Sequence, residues 1–287
     1  MPPDPRSTSP AVAAVARIAE LPGLPERVEA AREACTGLRW HPALRRRIPE
    51  AAAESRVRGA AASAELEGAG LPVDVVRDLL RGASTWSPTP DPVETVARGV
   101  LAATAETEAL GSVVLRAPLQ ALARLHTVAA AGLVEDDALG RPRRDGERCA
   151  ELAEVGEAPS AAAATARLTG LVDVLLATPR LPALVAAAVV HAELMTTRPF
   201  LRGNGPVARA LDRTLVRAAG LDPTGVAVTE AGHGTGGTAA YVGALAAYAR
   251  GDAAGVGLWV EHCCEAVRAG AAEGERVADA VLAGRLD

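Results

Sequence analysis

The residues best suited to chemistry form one run, Arg198-Pro199-Phe200-Leu201-Arg202-Gly203-Asn204-Gly205-Pro206-Val207-Ala208-Arg209, which holds the only phenylalanine and the only asparagine of the chain. Its central Gly-Asn-Gly suits one physical task. Glycines reach positive φ and let backbone N–H groups come close to a ligand. A proline at a helix start gives up an N–H that has no intrahelical partner anyway. Several N–H groups then converge at a helix N-terminus, which attracts anions. Arg209 lies one turn further on, within reach of a bound phosphate, and Arg202 adds a second cation. The same spacing also fits a plain glycine turn between helices, with Arg209, Arg213 and Arg217 as a solvated stripe opposite Val207, Leu211 and Leu215.

Other candidates are weaker. Gly232-His233-Gly234-Thr235-Gly236-Gly237 matches the spacing of a dinucleotide-binding turn after Val226-Ala227-Val228, but no second strand follows, so it reads as a loop. Glu261-His262-Cys263-Cys264 has no partner pair elsewhere, and adjacent helical residues point apart, so it reads as core packing, and no metal site is expected. His191 reads as a core histidine, and Arg45-Arg46-Arg47 as a solvated face.

Composition narrows the chemistry further. The 287 residues include no lysine, which excludes Schiff-base catalysis and a phosphate loop built on lysine. Aromatics at 2% and a net charge of −5 speak against stacking on, or general attraction to, nucleic acid. The four cysteines form no C-x-x-C, so neither a disulfide framework nor a zinc ribbon is indicated. The N-terminus lacks the pattern of a signal peptide, and the apolar stretch 181–190 is short for a bilayer. The expectation is a cytoplasmic protein without membrane contact.

Positioning these residues falls to helices. Ala, Leu, Glu and Arg dominate, and β-branched runs are scarce. Helices are expected near 11–21, 24–35, 50–67, 73–80, 93–110, 118–131, 161–177, 182–195, 206–219, 239–250 and 256–282. Pro182 sits in a first turn, and 182–195 is apolar on nearly every face, which marks it as the buried centre. The fold class is therefore all-α. Residues 1–10 read as a flexible tail, 11–83 as an N-terminal helical region, and 84–92, with three prolines, as a linker. The polar segment 134–159 reads as a long loop or a small β-hairpin.

The central run resembles the motif of Fic (Fido) proteins, His-x-Phe-x-Asp/Glu-Gly-Asn-Gly-Arg-x-x-Arg. Pro199, Phe200, Gly203, Asn204, Gly205 and Arg209 match. The resemblance extends to His191 in the preceding helix, to Leu125-His126, and to Gly140-Arg141-Pro142-Arg143 at the start of the family's flap. It also includes Tyr241, Gly251-Asp252 and Trp259. Ser63-Ala64-Glu65-Leu66-Glu67-Gly68 resembles the inhibitory helix of class II members, in which the glutamate pairs with the last motif arginine. Here Ser63 and Glu67 take those places, opposite Arg209. The resemblance implies a Fic-like core over 93–250, an inhibitory motif at 63–68, a hairpin flap and a C-terminal helix over 251–287. Its implied activity is transfer of AMP, or a related phosphate-containing group, from ATP or another nucleotide to a protein hydroxyl.

Three positions depart from the motif. Arg198 stands where the family has its general base, and a guanidinium accepts no proton near neutral pH. Arg202 replaces the acid that holds magnesium, so magnesium is not expected. Pro206 replaces the first motif arginine. The expectation is a degenerate nucleotidyltransferase site: a pseudoenzyme in which Gly203, Asn204, Gly205, Arg209 and Arg202 still bind a nucleotide or phosphate, acting through protein partners. An active transferase with altered chemistry and a ligand-free scaffold are the alternatives.

Overall fold

The computed structural model describes residues 9–285, so the tail expected at 1–10 lies almost wholly outside the described residues. Among the described residues, twelve α-helices account for the architecture. The first four are α1 (Pro10–Ala19), α2 (Leu24–Arg39), α3 (Ile48–Leu66) and α4 (Val73–Arg81). Next come α5 (Pro92–Leu110), α6 (Pro118–Ala129), α7 (Ala161–Ala177) and α8 (Ala183–Thr197). The last are α9 (Asn204–Ala218), α10 (Thr229–His233), α11 (Gly237–Ala249) and α12 (Ala253–Ala283).

Local chemistry sets most of these boundaries. Prolines occupy the first turn of α1, α2, α3, α5 and α6. Side chains cap α5, α7 and α12: Asp91 accepts from the Glu94 N–H, Ser160 from Ala163 and Asp252 from Gly255. Pro182 is not inside α8, as expected above, but is its N-cap, with an extended ψ of 107°.

Helix α8 is the centre of the core. Leu184, Val185, Val189, Val190, Leu194 and Met195 are all buried, and the Trp259 indole of α12 donates to the Ala188 carbonyl at 2.7 Å. Around it pack α7, α9, α11 and α12, with α5 and α6 against α9. The N-terminal helix α3 lies over α5 and α10. One stretch, Ala161–Arg180, is long and apolar enough to cross a membrane by length and composition alone. It is α7 and the turn after it, packed against α1 and α8.

No hairpin forms at 134–159: among the described residues there is one isolated bridge, Ala131 to Val134, and no strand. The segment lacks the apolar alternation that would bury one face of a hairpin. Its backbone is held by an arginine instead. Arg143 donates to the carbonyls of Glu147, Pro159 and Arg198, and its own N–H reaches the Pro199 carbonyl at 2.7 Å. Residues 226–228 also make no strand; the Ala227 amide goes to the Asp222 carboxylate and the Val228 amide to the Gly270 carbonyl. The loop expected from Gly232 begins instead with the end of the buried helix α10.

Candidate functional site

The loop between α8 and α9 carries the site. It begins at Arg198, which ends α8 with φ +46°, a left-handed conformation rare for a residue with a Cβ. The loop turns back at Gly203, where φ is +80°. Directly after Gly203 the sole asparagine closes a ring of bonds. Asn204 Oδ1 accepts from the Phe200 N–H and its Nδ2 donates to the Phe200 carbonyl, each at 3.0 Å. Only a side-chain amide supplies both an acceptor and a donor there, so aspartate would break half of this clamp. Phe200 is buried and stacks on the His126 imidazole, with ring centroids 3.9 Å apart.

His126 is held as a neutral base by its surroundings. Its Nε2–H donates to the Arg202 carbonyl at 3.2 Å, and its Nδ1 accepts from the Gly140 N–H at 2.9 Å. Burial pushes its pKa down to about 4, against the opposing effect of the Arg202 carbonyl. One imidazole thus ties the turn at Gly140 to the α8–α9 loop.

The converging amides at the start of α9 are already engaged. The Glu151 carboxylate accepts from the Gly203 N–H at 2.7 Å, the Asn204 N–H at 3.1 Å and Asn204 Nδ2 at 2.8 Å. Arg202 Nε lies 3.3 Å from the same carboxylate. Glu151 comes from the irregular segment after Arg143 and was not among the residues expected from sequence. Nothing local marks it, because it belongs to no periodic pattern and reaches the nest across some fifty residues of chain.

Arg198 explains how Glu151 gets there. Its guanidinium is buried and donates through Nη1 to the carbonyls of Glu151 and Leu152, both at 3.0 Å. Among the described residues, Leu152 is the other non-glycine residue with positive φ, at +56°. Burial is the main cause that pulls the Arg198 pKa below the usual arginine value; the side chain still offers no lone pair to a substrate proton. It acts as a strut that presents the Glu151 carboxylate to the nest.

The opposite side of the site is closed by α3. Glu67, the C-cap of α3, receives Arg209 Nη2 at 2.6 Å. Arg209 Nε also donates to Ser63 Oγ at 2.8 Å, and Nη2 to the Ser63 carbonyl at 3.3 Å. Burial is the largest influence and pulls the Arg209 pKa down, but Glu67 and Tyr241 together raise it above the usual arginine value. Gly205 does not use positive φ, contrary to expectation. It lies inside α9, and a Cβ there would overlap the Glu67 carboxylate, so its role is to leave room for Glu67.

Arg213, one turn beyond Arg209, is not solvated. It forms a bidentate pair with Glu230 at 2.7 and 2.8 Å and reaches Ser55 of α3. Of the stripe on α9, only Arg217 faces solvent. A cavity of about 200 Å³ lies between the two carboxylates, lined by Glu67, Glu151, Arg202, Gly203, Gly205 and Pro206 among others. A larger one of about 430 Å³ adjoins it, sharing Glu67 and Arg202 and extending to Pro92 and Gly132.

Residues 117–215 match the Fic/DOC family. Three solved structures share the fold. A Fic family protein from Desulfovibrio desulfuricans G20 aligns with TM-score 0.61 and 22% identity, over 94% of this chain and 75% of that one. Fic-1 (aa134–508) from C. elegans aligns with TM-score 0.63 and 18% identity, over 96% and 74%. A Fic domain containing signaling protein from Bacteroides thetaiotaomicron VPI-5482 aligns with TM-score 0.65 and 15% identity, over 88% and 98%. No curated protein matches the sequence.

Proposed function

We propose that the protein is a catalytically impaired relative of the Fic/DOC family, which residues 117–215 match, and that it binds a nucleotide or other phosphate ligand and is held shut by its own carboxylates. The observation that carries this reading is the closure of the Gly203 and Asn204 amides on the Glu151 carboxylate. An oxyanion of the chain itself occupies the nest to which the family resemblance assigns a phosphate, so the nest has the size and polarity for one. The residues around it supply binding without chemistry. Arg198, at the position of the family base, has its guanidinium committed to two backbone carbonyls. Arg202, at the position of the metal-holding acid, repels a cation. Pro206 has no N–H to give.

Binding therefore proceeds by exchange. A phosphate displaces Glu151 from the amides while Arg202 remains as a counter-charge. Arg209 becomes available only when Glu67 leaves it. A site that binds without transferring acts through a protein partner that reads its closed and open forms.

Calorimetry of ATP in EDTA, with wild type, Glu67→Gly and Arg209→Ala, tests binding. The expected order is Glu67→Gly tightest and Arg209→Ala weakest, since one charged hydrogen bond is worth about 1.5–3 kcal/mol. Equal and unsaturable heats in all three would leave only a scaffold. Incubation with labelled ATP tests transfer, for which no product is expected, because loss of a general base alone costs about 10²–10⁴-fold. Robust labelling of the protein or of a target would replace this reading with an active transferase.

A further inference from the structure

Behind Arg209, on the core side of α9, three polar side chains from three helices meet. His191 comes from α8, Asp212 from α9 and His233 from α10. All three are buried, and one potential ligand atom of each lies within 4.8 Å of the others. Their hydrogen bonding is incomplete. His191 Nδ1 is buried without any partner, while its Nε2 is committed to the Tyr241 hydroxyl at 2.7 Å. His233 Nδ1 pairs with His262 Nε2 at 3.2 Å, and its Nε2 stands 3.7 Å from Asp212 Oδ2, beyond hydrogen-bond length. Among the described residues no hydrogen bond reaches the Asp212 carboxylate.

The charges nearby deepen the anomaly. Arg209 and Arg213 flank Asp212 on α9, but each has its own carboxylate, Glu67 and Glu230. Within 4 Å the Asp212 carboxylate, whose side chain is 7% exposed, meets only His233 Nε2 as a basic partner among the described residues, so its charge is weakly compensated.

From this convergence we propose that His191, Asp212 and His233 form a binding site for one divalent transition-metal ion of the zinc type. Two imidazoles and one carboxylate form a mixed nitrogen and oxygen set that suits such an ion, whereas magnesium and calcium favour oxygen ligands throughout. The outer partners have the form such a site requires. Tyr241 engages Nε2 of His191 and His262 engages Nδ1 of His233, which leaves the other nitrogen of each ring available to an ion. Zinc bonds of about 2.0–2.1 Å place tetrahedral donors about 3.4 Å apart, so the group must draw in by up to about 1.4 Å from its 4.8 Å span. The ion neutralises Asp212 and joins α8, α9 and the five-residue α10, which is too short to hold itself. Three protein ligands leave the fourth position of the ion to a water molecule, and the site lies outside the phosphate cradle.

The test uses the full chain, stripped with EDTA, loaded with zinc chloride and passed over a desalting column. Elemental analysis is expected to give one zinc per chain and the melting temperature to rise with zinc. Cobalt in place of zinc is expected to give the visible absorption of a four-coordinate site. Asp212→Asn and His233→Gln are expected to weaken zinc binding by at least about tenfold, as loss even of an outer partner does. Wild type that takes up no zinc and gives no cobalt spectrum would overturn the proposal and mean that water fills the cluster. Folded variants that hold zinc as tightly as wild type would equally overturn it by putting the metal elsewhere.

Discussion

Replacing Glu151 by alanine removes the carboxylate that fills the nest, and the structure sets the size of the effect. Three N–H donors and the Arg202 guanidinium converge on it. Bonds to a charged group are worth about 1.5–3 kcal/mol each when the alternative is an unmet donor. Here the site opens on a cavity of about 200 Å³, so water replaces much of what is lost. The Glu151 side chain also retains about a fifth of its exposure, at 19%. The net strength of the lock is then roughly 1–3 kcal/mol, because solvent screens part of each bond. A phosphate that must first displace Glu151 binds weaker by that amount. Glu151→Ala should therefore tighten anion binding by about 5- to 150-fold while lowering the melting temperature. Calorimetry of inorganic pyrophosphate in EDTA measures the first effect and thermal unfolding the second. Glu151→Gln, which keeps the shape but not the charge, should fall between. A folded Glu151→Ala protein with the same pyrophosphate affinity as wild type, or with none, would refute the idea that Glu151 competes for a working anion site.

Three further outcomes are expected. Gly205→Ala should act like removal of Glu67, because the new Cβ takes the space of the Glu67 carboxylate; ATP titration of both variants checks this, and tighter binding by only one of them would contradict it. Glu230→Ala leaves Arg213 buried and unpaired and should cost about 3–5 kcal/mol, read from urea unfolding. His126 titrates near pH 4 when folded and near 6.5 when unfolded, so between these values the unfolded chain binds more protons. Stability should thus fall as the pH drops from 6.5 toward 4, by on the order of 3 kcal/mol for this group, and replacing His126 by glutamine should flatten that part of the profile.

Much of the helical framework was legible in the chain alone. Proline in first turns, capping side chains and Ala- and Leu-rich stretches act within a few residues, so the positions of most helices and the burial of α8 follow from local physics. The Gly-Asn-Gly turn is legible for the same reason. The nearness of Glu67 to Arg209 is not local, since 142 residues separate them; it followed from the family resemblance and from no spacing rule. What only the tertiary structure decided are the meetings of distant side chains. The absent hairpin, the burial of Arg213 against Glu230 and Ser55, and the convergence of His191, Asp212 and His233 all depend on how helices pack. So does the deepest feature of the site. Arg198 reads in sequence as a lost base, but in the fold it is the strut that carries Glu151 into the nest. A side chain's partners across fifty or more residues leave no periodic trace, because periodicity records which face a residue presents and not which residue meets it there.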